Sequence, residues 1–503
     1  MFENIVTENE LDFNILEKKM YSFICELGCN LLSTMLENYD QKIMEARDKK
    51  TFRHKGYRVN SIKTVMGLVS YKRAIYEYKD DNGNKKFICL LDSILSVATI
   101  GKMSANLVEK ILSIVVETTS YRDASSQLIE GINQTISHEG VRNVVIKEGY
   151  KIIFKEQEEY KNNEDGKLIP GTKEIPVLFE EADGLWINLQ GNDRKKQIEK
   201  YKRNCEKQGK EYKEPNHVKS ELKLHIAYEG WKKDDPRHSL VDKMYIVGFM
   251  SAKEIRQRRD AKIYQKYNLD KIKVRVMNGD GALWIDNLAT GDTIRQKDNF
   301  HIHQEIIRDI PDEEYRRQIE RLIAESRYNE IPVYINFLKY EYGGEEKVVK
   351  KLEKLESYLS SGLERYREVL EKQNRTLPEA PEGIEYKEPG IMESQIFTVL
   401  SKRFKSGRLS FSKIGATCLA KICAIKVENK GVIEIDKLES ALQIEDDMIK
   451  YMKEIKKEIE EMVEFYLNKK KTEANDEEIN KNPVLKALGC LSKKDTDKMQ
   501  KYL

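Results

Sequence analysis

Among the chain's 85 acidic residues, Asp183 and Asp280 stand out by position and not by type. Each closes a run of apolar and β-branched residues, IPVLFEEAD for the first and IKVRVMNGD for the second. Carboxylates at neighbouring strand ends of one sheet converge, and hard divalent cations such as magnesium take oxygen ligands of that kind while keeping positions for water and phosphate. Two such ions about 4 Å apart activate a water or hydroxyl nucleophile and stabilise the leaving oxygen of an in-line phosphodiester displacement. The competing reading is a turn, because each aspartate precedes a glycine and Asp-Gly favours hairpins. At Asp183 the sequence predicts a tight turn separating IPVLFEEAD from GLWINLQ.

These residues need a sheet to carry them. From Ile175 the chain reads as strands (IPVLFEEAD, GLWINLQ, ELKLHIAYEGW, KMYIVGFM), then a helix (SAKEIRQRRDAKIYQKYNL), then the strand ending at Asp280. Antiparallel strands, a helix and a further strand give an α+β order resembling an RNase H-like mixed sheet. Between Arg194 and Lys213, nine basic residues face three acidic ones. This segment, with Lys195 and Lys196, is expected to be a loop, either a solvated excursion or a phosphate-contacting arm.

Upstream, apolar spacing predicts one or two helices from Asp12 to about Lys49, followed by a β-rich stretch turning at Asp81-Asn82-Gly83-Asn84. A helix-turn-helix rhythm follows: a helix from Tyr121 to Leu128 breaking at Gly131, then a second helix capped by Ser137. The second helix would turn Arg142, Lys147 and Lys151 outward and Val141, Val144 and Val145 inward. It suits a DNA major groove, and equally an ordinary helical bundle. After Pro311 the chain is expected to be helical through about Asn374, turning at Gly343-Gly344, before the linker TLPEAPEGIEYKEPG. A charged helix is expected around Asp446 to Tyr466.

With 503 residues, 40% hydrophobic and 34% charged, the composition suits a globular protein and argues against collagen-like or wholly disordered chains. The apolar stretch from Phe87 to Ile100 is interrupted by Asp92 and is too short for a membrane helix. MFENIVTENELDF lacks a secretory pattern, so a cytoplasmic protein is expected. Seven scattered cysteines without CxxC spacing read as reduced, packed thiols. The net charge of +3 says little about partners, so the placement of the charge must decide.

Taken in order, EEADGLWINLQ, VMNGDGALWI, KDNFHIHQEI and GIMESQIFTVLSKRFKSGRLSFSKIGA resemble bacterial insertion-sequence transposases of the ISLre type, relatives of the Mutator-like DDE transposases. The resemblance runs from about Arg58 to Ala424. It implies an RNase H-like catalytic domain that cuts and joins DNA, with Asp183 and Asp280 as the first two catalytic acids, 280 − 183 = 97 residues apart. Glu393 matches the third acid, 393 − 280 = 113 residues further on, a gap that holds the helical insertion of such enzymes. A helix with Phe397, Leu400 and Phe404 on one face would press Glu393 to the sheet. Asp298 and His301 fit the (C/D)xxH signature and would support the site, and Lys297 departs from the apolar residue usual before it.

The resemblance implies two Mg2+ (or Mn2+) ions held by Asp183, Asp280 and Glu393, with terminal inverted repeats and target DNA as partners. It also implies a homodimer or higher oligomer on DNA, nucleoid-associated when bound and with no membrane partner. Arg142, Lys147, Lys195, Lys196, Lys402, Arg403, Lys405 and Arg408 are the expected DNA-binding residues. The implied layout is an N-terminal α+β domain (1–100), a helix-turn-helix-like region (101–170) and a first catalytic part (171–310). A helical insertion with linker (311–388), the third-acid helix (389–430) and a charged helical tail (431–503) complete it. Trp186 and Trp284 are expected in the core. The alternatives are a non-catalytic DNA-binding descendant of a transposase and an RNase H-like nuclease acting on branched DNA.

Overall fold

The computed structural model describes residues 13–80, 83–94, 103–132, 135–291, 293–325, 327–360, 377–405 and 409–431, with Ile433. These fall into two compact units: the described residues up to Ile114 with Tyr121–Val141, and Val115–Ser120 with Arg142–Ile433. The charged helix expected around Asp446 lies outside the described residues, as does Arg408.

In the first unit the predicted helical spacing becomes one long helix, α1 (Phe13–Ala46). It is followed by an antiparallel sheet of β1 (Arg53–Lys63), β2 (Leu68–Lys79) and β3 (Lys85–Ile88). Leu32, Leu36, Tyr39 and Ile43 recur at one-turn spacing and lay α1 on Ile62, Val69 and Tyr71. The β2–β3 turn uses Gly83 at φ +80°, a conformation open to glycine. Asp81 and Asn82 lie outside the described residues. Helices α2 (Leu90–Ile94), α3 (Ala105–Glu117), α4 (Tyr121–Ile132) and α5 (His138–Glu164) follow along the chain. α4 runs through Gly131 instead of breaking there. Ser137 caps α5 as expected, its hydroxyl accepting the Gly140 N–H at 3.1 Å.

The second unit is built on a five-stranded mixed sheet: β4 (Val177–Asn188), β5 (Lys219–Tyr228), β7 (Met244–Gly248), β8 (Val274–Gly279) and β9 (Ile294–Lys297), with the two-residue β6 (Trp231–Lys232) outside it. The spatial order is β7-β5-β4-β8-β9. β4, β5 and β7 pair antiparallel, and β8 and β9 run parallel to β4. The protein is therefore mixed α and β, with a mixed sheet.

Two local expectations fail in this unit. β4 runs unbroken through Asp183-Gly184, where a turn was expected, because ten consecutive residues pair with β5 and hold the dipeptide extended. The basic segment after Asn188 is a helix, α6 (Gly191–Lys207), and not a loop. Lys, Arg, Gln and Glu are good helix formers, and Gly209 at φ +63° ends the helix, with the Lys210 N–H reaching back to the Cys205 carbonyl at 2.9 Å.

The sheet is covered on one face by α7 (Ala252–Lys266), whose Ile255 and Ile263 meet Leu178, Ala182, Ile246 and Met277, joined by Ile285 of the short α8 (Leu283–Asp286). After β9 comes a helical insertion with its own core: α9 (Asn299–Asp309), α10 (Glu313–Ala324), α11 (Ile331–Glu341) and α12 (Glu346–Ser360) pack through Ile302, Ile306, Ile319, Leu338 and Leu352. The α11–α12 turn falls at Gly343-Gly344. The linker then pairs β10 (Ile384–Glu385) with β6 and leads into α13 (Met392–Ile396). A π-helical turn, Phe397–Ser401, follows, then α14 (Lys402–Phe404) and α15 (Lys413–Glu428).

Candidate active site

β4 pairs in parallel with β8 so that Ala182 lies opposite Gly279. The next residue of each chain is an acid, which sets Asp183 and Asp280 side by side on strands about 4.8 Å apart. Side chains alternate along β4: Glu180 and Ala182 face α7, while Glu181 and Asp183 face the opposite layer, from which the Glu393 helix packs on β4. Glu393 itself is exposed, in the first turn of α13.

The electrostatics link these groups. The Asp183 carboxyl is pushed up to about 6, first by its burial and further by the charges of Asp280 and Glu393. The Gly184 N–H, which donates to its Oδ1 at 2.6 Å, and His301 act in the opposite sense. The four residues singled out in sequence, from four separate stretches, therefore share one electrostatic neighbourhood.

A second tier of polar residues beneath the acids escaped the sequence reading. Glu181 is fully buried, and its carboxylate accepts from Tyr228 Oη at 2.6 Å, Asn278 Nδ2 at 2.9 Å, the Gly390 N–H at 3.2 Å and the Ile391 N–H at 3.1 Å. Asn278, also buried, donates in turn to Asp298 Oδ2 at 3.0 Å. Burial pushes the Glu181 carboxyl up while these donors favour its charged form. Asp298 closes the set: its Oδ1 caps α9 by accepting from the Phe300 N–H at 2.8 Å and the His301 N–H at 3.4 Å, and its own N–H donates to the Gly279 carbonyl. The DxxH spacing thus puts a capping carboxylate at the head of α9 with His301 in its first turn.

Three further contacts hold the surrounding elements. Tyr245 Oη of β7 donates to Gln395 Oε1 at 2.5 Å and fixes α13 over the sheet. Lys297 lays its Nζ 3.8 Å from the Tyr358 ring centroid and 2.6 Å from the Tyr358 carbonyl, while Tyr358 Oη donates to the Asp280 carbonyl at 3.1 Å. The lysine therefore ties the end of α12 to the strand end that bears Asp280. On the α7 face, Glu180 takes Arg275 at 2.6 Å, His225 at 3.0 Å and Arg259 at 3.3 Å. Burial opposes the Glu180 charge, but Arg259, Arg275 and His225 outweigh it and hold the carboxyl far below its usual range.

Other expected residues divide. Lys195, Lys196, Lys402, Lys405 and Lys147 are exposed, and Arg142 is half-buried. Arg403, expected to emerge beside the site, is 3% exposed and donates to the Val115 carbonyl at 3.2 Å and the Thr119 carbonyl at 2.7 Å, so it is structural. The face expected of Phe397, Leu400 and Phe404 is also altered: Leu400 and Phe404 are buried, but the π turn rotates Phe397 out to 57% exposure. Trp186, expected in the core, is 57% exposed, because β4 continues past Asp183 and turns it outward. Trp284 is half-buried, with Lys223 Nζ 4.6 Å from its ring centroid.

Residues 6–218 and 205–441 match the family model described as an uncharacterised protein family, UPF0236. The chain belongs to this family. Comparison with curated proteins finds no match. For this UPF0236 chain the question of a metal turns on its donor set. Three carboxylates with one driven up towards neutrality suit a hard cation, which would relieve their repulsion. Among the described residues, however, no three His, Cys, Asp or Glu side chains are gathered closely enough to hold an ion. Asp183 Oδ1 accepts the Gly184 N–H at 2.6 Å and Asp280 Oδ1 the Ala282 N–H at 2.7 Å.

Proposed function

We propose that this protein is a DDE-type DNA transposase of the ISLre type, with Asp183, Asp280 and Glu393 as its catalytic acids. The observation that carries the reading is the raised Asp183 carboxyl, which burial and two neighbouring acids from distant parts of the chain push up to about 6. Perturbed acids gathered at strand ends of one sheet are the arrangement metal-dependent phosphoryl chemistry uses. The sheet order supports an RNase H-like reading: counting only its own strands in chain order, β7-β5-β4-β8-β9 is 3-2-1-4-5, with the first three antiparallel and the last two parallel to the first. The four-helix insertion between β9 and α13 supports the comparison with Mutator-like enzymes.

In this reading Asp183 and Asp280 present oxygens from adjacent strands, and Glu393 presents its own from the covering helix. Bound Mg2+ or Mn2+ ions would supply the activated nucleophile and stabilise the leaving oxygen at a DNA phosphodiester. The Glu181–Asn278–Asp298 tier holds the three acid-bearing segments in place, and His301 offsets part of the negative charge. Lys195, Lys196, Lys402 and Lys405 supply cations for the DNA backbone, with the ends of the mobile element and its target as partners and two or more chains assembled on them.

The test is cleavage, in magnesium, of DNA carrying the sequences that flank the protein's own gene. Wild-type protein is expected to nick these ends, and Asp183→Asn or Asp280→Asn to abolish nicking while leaving binding to the same DNA measurable. Nicking that survives both substitutions refutes the assignment.

A further inference from the structure

The helix that replaces the expected loop carries its charge in an ordered way. At 100° per residue, Lys196, Lys200, Arg203 and Lys207 of α6 fall at i, i+4, i+7 and i+11 and form a single stripe. All four are exposed. The opposite side holds buried Cys205, half-buried Ile198 and Arg194, the last paired with Glu214 at 3.4 Å. Among the described residues, none of the four stripe cations has an ion-pair partner.

Such a stripe opposes its own helix, because like charges at i, i+3 and i, i+4 repel. The helix is fixed at both ends nonetheless. The Gln190 N–H donates to the Phe411 carbonyl at 2.9 Å, Asp193 accepts the Lys413 N–H at 2.8 Å, and the Gly209 turn closes the far end. A rigid rod with a cation on each turn, held out from the end of the strand that bears Asp183, is what an extended anion requires.

We propose that the α6 stripe binds the phosphate backbone of duplex DNA. The stripe spans about 16 Å at 1.5 Å per residue, and duplex DNA offers one negative charge per about 1.7 Å of axis, so all four cations find phosphates at once. An anionic membrane is the poorer fit, because interfacial helices set Trp, Phe or Leu beside their cations, and the large exposed hydrophobic residue of α6 is Tyr201, on the other side. A single strand is poorer too, since the stripe has no aromatic residues interleaved for base stacking.

The proposal shares Lys196 with the function proposed above but does not rest on its catalysis, since a chain that binds through α6 and never cuts would still satisfy it. The experiment measures anisotropy of a labelled ~30-bp duplex of arbitrary sequence with the full chain, from ~50 to ~200 mM salt. The variant Lys196→Gln/Lys200→Gln/Arg203→Gln/Lys207→Gln alters only exposed side chains. It is expected to weaken binding at low salt by at least about tenfold and to make the slope of log affinity against log salt shallower by about 3 to 4. Removing the same number of charges from α12 (Lys347, Lys350, Lys351 and Lys354, all to Gln) is expected to change neither quantity. Wild-type affinity and slope in the α6 variant overturn the proposal, as does an equal loss in the α12 variant, or tighter binding of the wild type to RNA duplex or anionic vesicles than to DNA. If the α6 variant binds DNA with wild-type affinity and slope, this proposal falls while the catalytic reading stands. If the wild type binds no DNA, both fall.

Discussion

Asp183→Asn is expected to make the protein more stable while it removes the proposed activity. An aspartate whose folded value lies above its ordinary one costs stability as it ionises, because the unfolded chain releases the proton more readily. For Asp183 the interval runs from 3.8 to about 6. At about 1.36 kcal/mol per pH unit this amounts to roughly 3 kcal/mol, absent below about pH 4 and complete above about pH 6. Asparagine keeps the shape and drops the charge, so the variant should match wild type near pH 4 and exceed it by up to about 3 kcal/mol near pH 7.5. Trp186, Trp231 and Trp284, the chain's three tryptophans, all lie in the second unit, so urea unfolding followed by their fluorescence reports on that unit. The measurement is made with a chelator present. In an Asp280→Asn background the gain should shrink, because the Asp280 charge is one of the causes that raise Asp183. A gain that ignores pH, a loss at neutral pH, or a gain untouched by Asp280→Asn would show that the acids do not share one neighbourhood.

Glu181→Leu should destabilise the second unit by about 3 kcal/mol or more, since it strands the Tyr228 hydroxyl, the Asn278 amide and the Gly390 and Ile391 N–H groups without their acceptor. Tryptophan-monitored urea unfolding reads this directly, and a loss under about 1 kcal/mol contradicts it. Glu180→Gln should cost about 3 to 5 kcal/mol at neutral pH, because it leaves buried cations unpaired. As the Glu180 carboxyl is held well below its ordinary 4.5, this difference should begin to shrink only as pH falls below that value, where the unfolded chain takes up the proton. Gly149→Ala and Gly184→Ala should differ. At Gly149 the new methyl meets the Cys418 backbone Cα at 2.6 Å, and an overpacking cost of about 1 to 3 kcal/mol is expected. At Gly184 the clash is with the Glu221 side chain, which can turn aside, so thermal unfolding should show the smaller loss there.

Strand periodicity was the most readable signal. IPVLFEEAD and IKVRVMNGD gave the strands and the position of Asp280 at a strand end, because buried β-branched runs have few other uses. The Asp183-Gly184 dipeptide misled, since its local preference for a turn is small beside a full ladder of pairs to β5. α6 was hidden by its charge, although Ile198 and Cys205, a heptad apart on the inward side, and Gly209 past the end were available as signals. The burial of Arg403 was not legible at all, since the carbonyls it satisfies belong to Val115 and Thr119, almost three hundred residues earlier. Nothing in the sequence set Glu181 apart from Glu180. Only the alternation of β4 sends Glu180 to the arginines and Glu181 to the Glu393 helix.

That alternation explains why the acids are placed as they are. Each stands two residues after a group of one hydrogen-bonded set: Asp183 after Glu181, Asp280 after Asn278 and Glu393 after Ile391, with Glu181 accepting from the Asn278 side chain and the Ile391 N–H. Along a strand, two residues is one full period, so the bonds that fix Glu181 and Asn278 also fix the side of the sheet from which Asp183 and Asp280 emerge. A slip of one residue between β4 and β8 would break the Glu181–Asn278 bond and turn one aspartate towards α7, so the buried hydrogen bonds and the convergence of charge stand or fall together. The repulsion among the acids is thus borne by a framework in which Glu181, Asp298 and the Asn278 Nδ2 are hydrogen-bonded and only the Asn278 Oδ1 lacks a partner, and substitutions in the tier should displace the acids, whereas substitutions of the acids should leave the tier intact.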